Sequence, residues 1–313
     1  MQPAKIAMLM STHSCQLRLD FITHTAEGLN PRERWRAMRR TGGNLKTWIP
    51  YHSSCSVRIP PMATWELLYN NPTPKRVEYT RSIVSYLDIL GFHELIETKT
   101  AGEISRILRI LAESVEPSSM FKGEKIQFTK FSDTVIRSMP EAKHYPRNFI
   151  FELRSVLHAQ IALIPRGTVI RGAVTIGNLV QSWGVVYGPG VVRAYELERR
   201  EGSPPRIVVD DEALAHIRPA IEKESLGAEL DSLIRREGST TYLDYLRACQ
   251  LELNVPEQEY PLFLALHRDL IRNGLTKYRE EPRILPKYEW LKNYHEQTLE
   301  EQLGFQTARE LHI

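Results

Sequence analysis

From about residue 80 the chain alternates between strand-like and helical spacing of its apolar residues. "IVSYLDI" (83–89) is an apolar, β-branched run of strand length that ends on a single acid, Asp88, where its own pattern asks for an apolar side chain. In the following stretch, "GFHELIETKTAGEISRILRILAESVE", Ile104, Ile107, Leu108 and Leu111 recur at helical spacing, which predicts an amphipathic helix over its second part. "KIQFTKF" and "TVIRSM" are β-rich runs separated by Ser132-Asp133, which is turn chemistry, and together they predict a hairpin. A second helix is predicted over 147–164, with Phe149, Leu153, Val156, Leu157 and Ile161 on one face. There follow a long strand "TVIRGAVTIGNLV", a short apolar run ending in "VVYGPG", a helix "VVRAYELERRE" with Pro189 at its start, and a strand "RIVVD".

That order of β, α, β-hairpin, α and β resembles an elaborated ferredoxin-like α+β sheet, with helices packed on one face and the other face free to meet a partner. The core pattern spans 76–225. Residues 226–313 read as a helical C-terminal extension, in which "KYEWLKNYHEQTLEE" is an amphipathic helix whose anchors Tyr288, Trp290 and Tyr294 pack against the rest of the chain or against a partner. Residues 1–75 hold basic clusters such as "NPRERWRAMRRTGG" and show neither period, so they are expected to be poorly ordered or accessory. Met62 offers a second possible start. The run "RERWRAMRR" reads as a solvated basic face rather than a nucleic-acid contact.

Composition narrows the function classes. With 42% hydrophobic and 25% charged residues in 313, the chain is globular in type, and a formal charge of +3 argues for neither nucleic acid nor an anionic membrane. Cys15, Cys55 and Cys249 lack disulfide or metal spacing, which suits a reducing, cytoplasmic setting. No run approaches the roughly 18 apolar residues of a membrane span. The N-terminal "MQPAKIAMLMST" is no convincing signal peptide. His93, His158 and His267 show no HxxxH spacing and read as surface or satisfied core residues.

Asp88 acquires a companion from the topology. In a ferredoxin-like sheet the first strand lies beside the hairpin, so Asp133 at the hairpin tip can approach it. Two carboxylates in one half-buried site repel unless a cation lies between them, and hard oxygen donors suit Mg²⁺ or Mn²⁺. Gly91 would let the backbone approach a phosphate. The plainer alternative makes Asp88 a cap for the next turn and Asp133 an ordinary turn residue.

The blocks "YLDILGF", "KFSDTVI", "IRGAVTIG", "VYGPGVVRAYELE" and "PRIVVDDEAL" resemble, in that order, the class III nucleotidyl cyclase catalytic domain, over residues 80 to 225 or so. The resemblance implies two divalent ions held by Asp88, Asp133 and the Ile89 carbonyl, phosphate-binding amides at Leu90, Gly91 and Phe92, and a head-to-tail homodimer with its sites at the interface. Thr129 and Val185 stand where family members carry the charged groups that read a purine, which points to a pyrimidine nucleoside triphosphate, UTP ahead of CTP. Val192 and Glu196 replace the family's transition-state Asn and Arg, leaving Arg193 as a candidate phosphate cation one position away. The pattern looks most like the bacterial pyrimidine cyclases of Pycsar antiphage systems, whose cyclic nucleotide switches on a separate effector. Two function classes stay open: a cyclase, and an inactive cyclase-like module that binds nucleotide or a partner.

Overall fold

The computed structural model describes residues 77–115, 126–141, 145–182, 185–201, 204–307 and 311–313. The expected N-terminal segment and its basic run lie outside the described residues.

Strand β1 (Thr80–Ile89) is the axis of the sheet. Helices α1 (Phe92–Thr98) and α2 (Ala101–Val115) lead from it to the hairpin of β2 (Gln127–Phe131) and β3 (Thr134–Pro140). Helix α3 (Tyr145–Leu163) then returns the chain to β4 (Ile170–Ser182). β1 pairs antiparallel with both β3 and β4, so the order β2-β3-β1-β4 is the ferredoxin-like arrangement expected from the element pattern. A short β5 (Val185–Tyr187) folds back on β4, and α4 (Pro189–Glu201) leads to β6 (Ile207–Val209), which runs parallel to β4.

Strand alternation divides β1 between two environments. Ile83, Leu87 and Ile89 face the main core, where they join Ile107 and Leu111 of α2 and Phe149, Leu153 and Leu157 of α3. Val84, Tyr86 and Asp88 face the opposite side. The crossover helices pack on one face as expected, while α4 covers part of the other, with Ala194 against Val84 and Leu179. Its approach depends on glycine: a Cβ on Gly177 would lie 2.6 Å from the Gly190 Cα, so only two bare backbones let the first turn of α4 rest on β4. Tyr195 of α4 meets Tyr86 edge to face, ring centroids 5.7 Å apart.

One charge pair is sealed inside the main core. Arg137 of β3 and Glu152 of α3 are both buried, with Nε 3.1 Å from Oε2, and the Ser85 hydroxyl donates to the other Glu152 oxygen at 2.6 Å. Arg137 also lies over the Phe151 ring. Its two terminal nitrogens have no hydrogen-bond partner among the described residues.

Beyond residue 210 come α5 (Asp211–Lys223), α6 (Gly227–Leu233), a hairpin of β7 (Ile234–Glu237) and β8 (Thr240–Leu243), α7 (Tyr245–Ala248), α8 (Pro256–Lys277) and α9 (Leu285–Thr307). The extension is mostly helical as expected, yet β8 pairs with β6 and carries β7 on its far side, so the main sheet continues into it. Among the described residues, no helix is long and apolar enough to cross a membrane.

A buried polar chain fastens the last residues to this layer. His295 Nε2 lies 3.0 Å from the Leu311 carbonyl, which only accepts, so Nε2 carries the proton and Nδ1 is an acceptor. His267 Nδ1, 3.0 Å from that acceptor, must donate, and its Nε2 then accepts from the Tyr245 hydroxyl at 2.7 Å. The bond between the two rings needs an unprotonated Nδ1 on one of them, so it is lost when both are charged. Burial, reinforced for His267 by its partner ring, holds both well or somewhat below the usual histidine value of 6.5. Unfolded histidines therefore take up protons near pH 6.5 while the folded pair does not, so stability is lost as pH falls below that value, by up to about 1.4 kcal/mol per pH unit per ring. Thermal melts from pH 7.5 to 5 should show this slope, and His267→Gln with His295→Gln should flatten it; an unchanged slope in the double variant would place the titration elsewhere.

Candidate active site

Asp88 stands near the end of β1 on the face opposite the main core, with its side chain 15% exposed. Asp133 sits in the tight turn between β2 and β3, after Ser132 at positive φ. The structure brings these two acids together. Burial first, and then the charge of Asp88, push the Asp133 carboxyl above its usual range.

Three further charged residues complete the cluster. Arg171 of β4 is the direct cross-strand partner of Asp88, and its Nε and Nη2 both donate to Asp88 Oδ2, at 3.1 and 2.9 Å. Its Nη1 lies 3.1 Å from Oε1 of Glu198, which α4 lowers onto the site. Burial raises the Glu198 carboxyl; Arg171 opposes that shift and Asp88 adds to it. Lys287, at the start of α9, lies within electrostatic reach of Arg171, Glu198 and Asp88, and burial, with Arg171 adding to it, draws its ammonium below the usual lysine value. The Tyr86 hydroxyl, raised chiefly by burial, borders the same acids.

This donor set fits a hard divalent cation in part. Asp88 Oδ1 and the Asp133 carboxylate are hard oxygens in a half-buried site where like charges repel. Asp88 Oδ2, however, is already held by Arg171. Among the described residues, no group of three or more His, Cys, Asp and Glu side chains is placed to hold a metal, so the two acids would need other oxygens to complete a shell.

The segment after Asp88 supplies fewer amides than the sequence suggests. The Leu90 N–H donates to the Val169 carbonyl at 2.9 Å, so it is spent on the sheet and corrects the expectation of a phosphate donor there. Gly91 adopts the left-handed conformation at φ 72° and its carbonyl accepts from the Glu94 and Leu95 amides, while the Phe92 amide opens α1 ahead of that first turn of bonds.

Thr129 pairs with Ile136 across the hairpin, and that register puts it on the Asp88 face. Its hydroxyl accepts from Gln181 Nε2 at 2.9 Å, and Gln181 Oε1 accepts from Ser138 at 2.5 Å. Val185 is exposed on β5. Arg193 is placed differently from the sequence expectation. Its guanidinium is bidentate on Asp210, at 3.0 and 2.9 Å, and reaches Glu212 at 3.1 Å. Asp210 also accepts from Thr175 and caps α5 through the Glu212 amide. Although burial alone would raise its carboxyl, the Arg193 and Thr175 hydrogen bonds hold it below the usual range. Arg193 thus clamps α4 to the β6–α5 junction, its guanidinium engaged by Asp210 and Glu212.

Sequence reasoning missed Arg171, Glu198, Lys287 and Gln181. Arg171 alone left a readable signal, as a charge within the apolar strand "TVIRGAVTIG"; the others need the tertiary placement of α4, α9 and the β4–β5 hairpin.

No protein-family model matches the sequence, and no curated protein matches it. Among solved structures, the chain is similar to the adenylyl cyclase CyaB from P. aeruginosa, with 14% identity and a TM-score of 0.40 over 54% of this chain and 95% of that one. It is also similar to the guanylyl cyclase Cya2, with 15% identity and a TM-score of 0.36 over 53% and 92% of the two chains. A third similarity is to the dimeric guanylyl cyclase domain of the RhoGC fusion protein from the fungus Blastocladiella emersonii, with 15% identity and a TM-score of 0.38 over 53% and 93%.

Proposed function

We propose that this chain is a metal-dependent nucleotidyl cyclase that converts a pyrimidine nucleoside triphosphate, UTP ahead of CTP, into the 3′,5′-cyclic monophosphate and pyrophosphate. The observation that carries this reading is the convergence of Asp88 and Asp133 in one half-buried site beside a glycine turn. In the reaction the substrate's 3′-oxygen bonds to the α-phosphorus, the bond from that phosphorus to the β-phosphate bridging oxygen breaks, and the 3′-hydroxyl proton is released. Asp88, Asp133 and the Ile89 carbonyl would hold Mg²⁺ or Mn²⁺, which when bound supplies positive charge against the triphosphate. The Gly91 and Phe92 amides would face phosphate oxygens.

Thr129 and Gln181 supply the chemistry for a pyrimidine edge. Uracil offers two carbonyl acceptors and one N–H donor, and a hydroxyl beside a carboxamide can meet both kinds of group. Neither Thr129 nor Val185 is an acid that would accept from the cytosine amino group, which is why UTP stands first. Phe131, 82% exposed at the hairpin end, and the exposed Val192 and Tyr195 on α4 border the site face and favour a second copy of this chain as its cover. The product would act as a second messenger on a separate effector, as in bacterial antiphage signalling.

A second reading, a nucleotide-binding module without turnover, is favoured by Arg171 on Asp88 and by the exposed Val192 and Glu196 on α4. Incubating the protein with each of the four nucleoside triphosphates and Mn²⁺, followed by mass detection of cyclic products, separates the two. Cyclic UMP is the expected main product. Absence of every cyclic product supports the inactive module, and cyclic AMP formed faster than cyclic UMP would overturn the reading of Thr129 and Val185.

A further inference from the structure

The elbow between α8 and α9 grips the β1–α1 segment from outside the sheet. At the end of α8, Lys277 and the Tyr278 hydroxyl both engage the carboxylate of Glu94 on α1. Tyr278 stacks on Tyr288, with ring centroids 5.3 Å apart. The Tyr288 ring in turn occupies the space a side chain at Gly274 would need, since a Cβ there would lie 2.1 Å from it. These contacts lock the start of α9 to the end of α8, and both to α1. The residue before Tyr288 is Lys287.

Lys287 is half-buried, within electrostatic reach of Arg171, Glu198 and Asp88. Among the described residues its ammonium closes no ion pair or hydrogen bond, although the acids nearby are paired through Arg171. A half-buried ammonium pays for lost hydration and gains little from acids already neutralised by a guanidinium. An incoming polyanion would supply the missing partner, and a lysine acts on phosphate as a point charge without a fixed approach angle.

We propose that the α8–α9 elbow forms a wall of the nucleotide site and that Lys287 binds the anionic phosphate chain of the substrate from it. This rests on the reading of the Asp88–Asp133 site as a nucleoside triphosphate site. The C-terminal layer is then part of the binding machinery and not only a support for the sheet.

The probe is inorganic tripolyphosphate with Mg²⁺, titrated calorimetrically into the full chain, alongside initial rates with UTP. Lys287→Met should weaken tripolyphosphate binding at least about tenfold and raise the UTP KM more than it lowers kcat, while Lys287→Arg stays within about threefold of wild type. The unliganded melting temperature of Lys287→Met should stay close to that of wild type, which a purely structural lysine would not allow; should that variant melt early, Lys287→Gln carries the comparison. Unchanged tripolyphosphate binding in the neutral variants, or no binding by the wild type, overturns the proposal. Lysine-dependent tripolyphosphate binding without any cyclic product would refute the cyclase reading alone. Cyclic UMP formation with an unaltered KM in Lys287→Met would refute the role of the elbow alone.

Discussion

Changing Asp88 or Asp133 to Asn is expected to lower cyclic-nucleotide formation by at least about a thousandfold, equivalent to about 4 kcal/mol of barrier. The two variants should differ in stability. Asp133 is destabilised in place by burial and by the Asp88 charge, so Asp133→Asn relieves repulsion and should leave the melting temperature unchanged or higher. Asp88 is the acceptor of a forked guanidinium, so Asp88→Asn weakens two charged hydrogen bonds from Arg171 and should cost about 1–2 kcal/mol. Turnover with UTP and thermal melts of both variants check the pair of expectations. Rates within about threefold of wild type in both, a barrier change of only about 0.7 kcal/mol, would end the metal assignment.

The largest stability effect should come from Glu152→Gln, on the core face of the sheet. It leaves the fully buried Arg137 guanidinium without its counter-charge, and breaking a buried pair in this way costs about 3–5 kcal/mol. For a folded unit of this size that corresponds to a melting temperature lower by roughly 6–20 °C. Arg137→Met combined with Glu152→Met should recover most of the loss, because replacing both charges with apolar groups removes the desolvation cost from each side. Denaturant melts of the single and double variants measure this. A single-variant loss below about 1 kcal/mol would mean that the guanidinium is hydrated in solution.

The strand, hairpin and crossover helices were legible because their apolar periods are strong and their punctuation is chemical. "IVSYLDI" has the length and branching of a buried strand, and Ser132-Asp133 breaks two β-rich runs where the turn occurs, with Ser132 taking the positive φ. Boundaries moved by only a few residues: the helix expected over 147–164 is Tyr145–Leu163, and the strand expected over 168–180 is Ile170–Ser182. The β7–β8 hairpin escaped notice because Arg235 and Arg236 interrupt any alternation on a sheet-edge strand, and its turn rests on one glycine, Gly238 at φ 59°.

The meeting of Asp88 with Asp133 was determined by sequence, since the order of strand, helix and hairpin puts the end of the first strand beside the hairpin tip in any antiparallel sheet of this connectivity. Local pattern also settled which face Thr129 shares with Asp88, because strand alternation carries orientation from one residue to the next. What the remaining groups do was decided only by the tertiary structure. The β1–β4 contact spends the Leu90 amide on Val169, the capped start of α5 turns Arg193 toward Asp210, and the α8–α9 elbow delivers Lys287 to acids far away in sequence. Hydrogen bonds and ion pairs act over a few ångströms in space, whereas periodicity constrains only neighbours along the chain. The partners of a polar group therefore become fixed when distant elements pack.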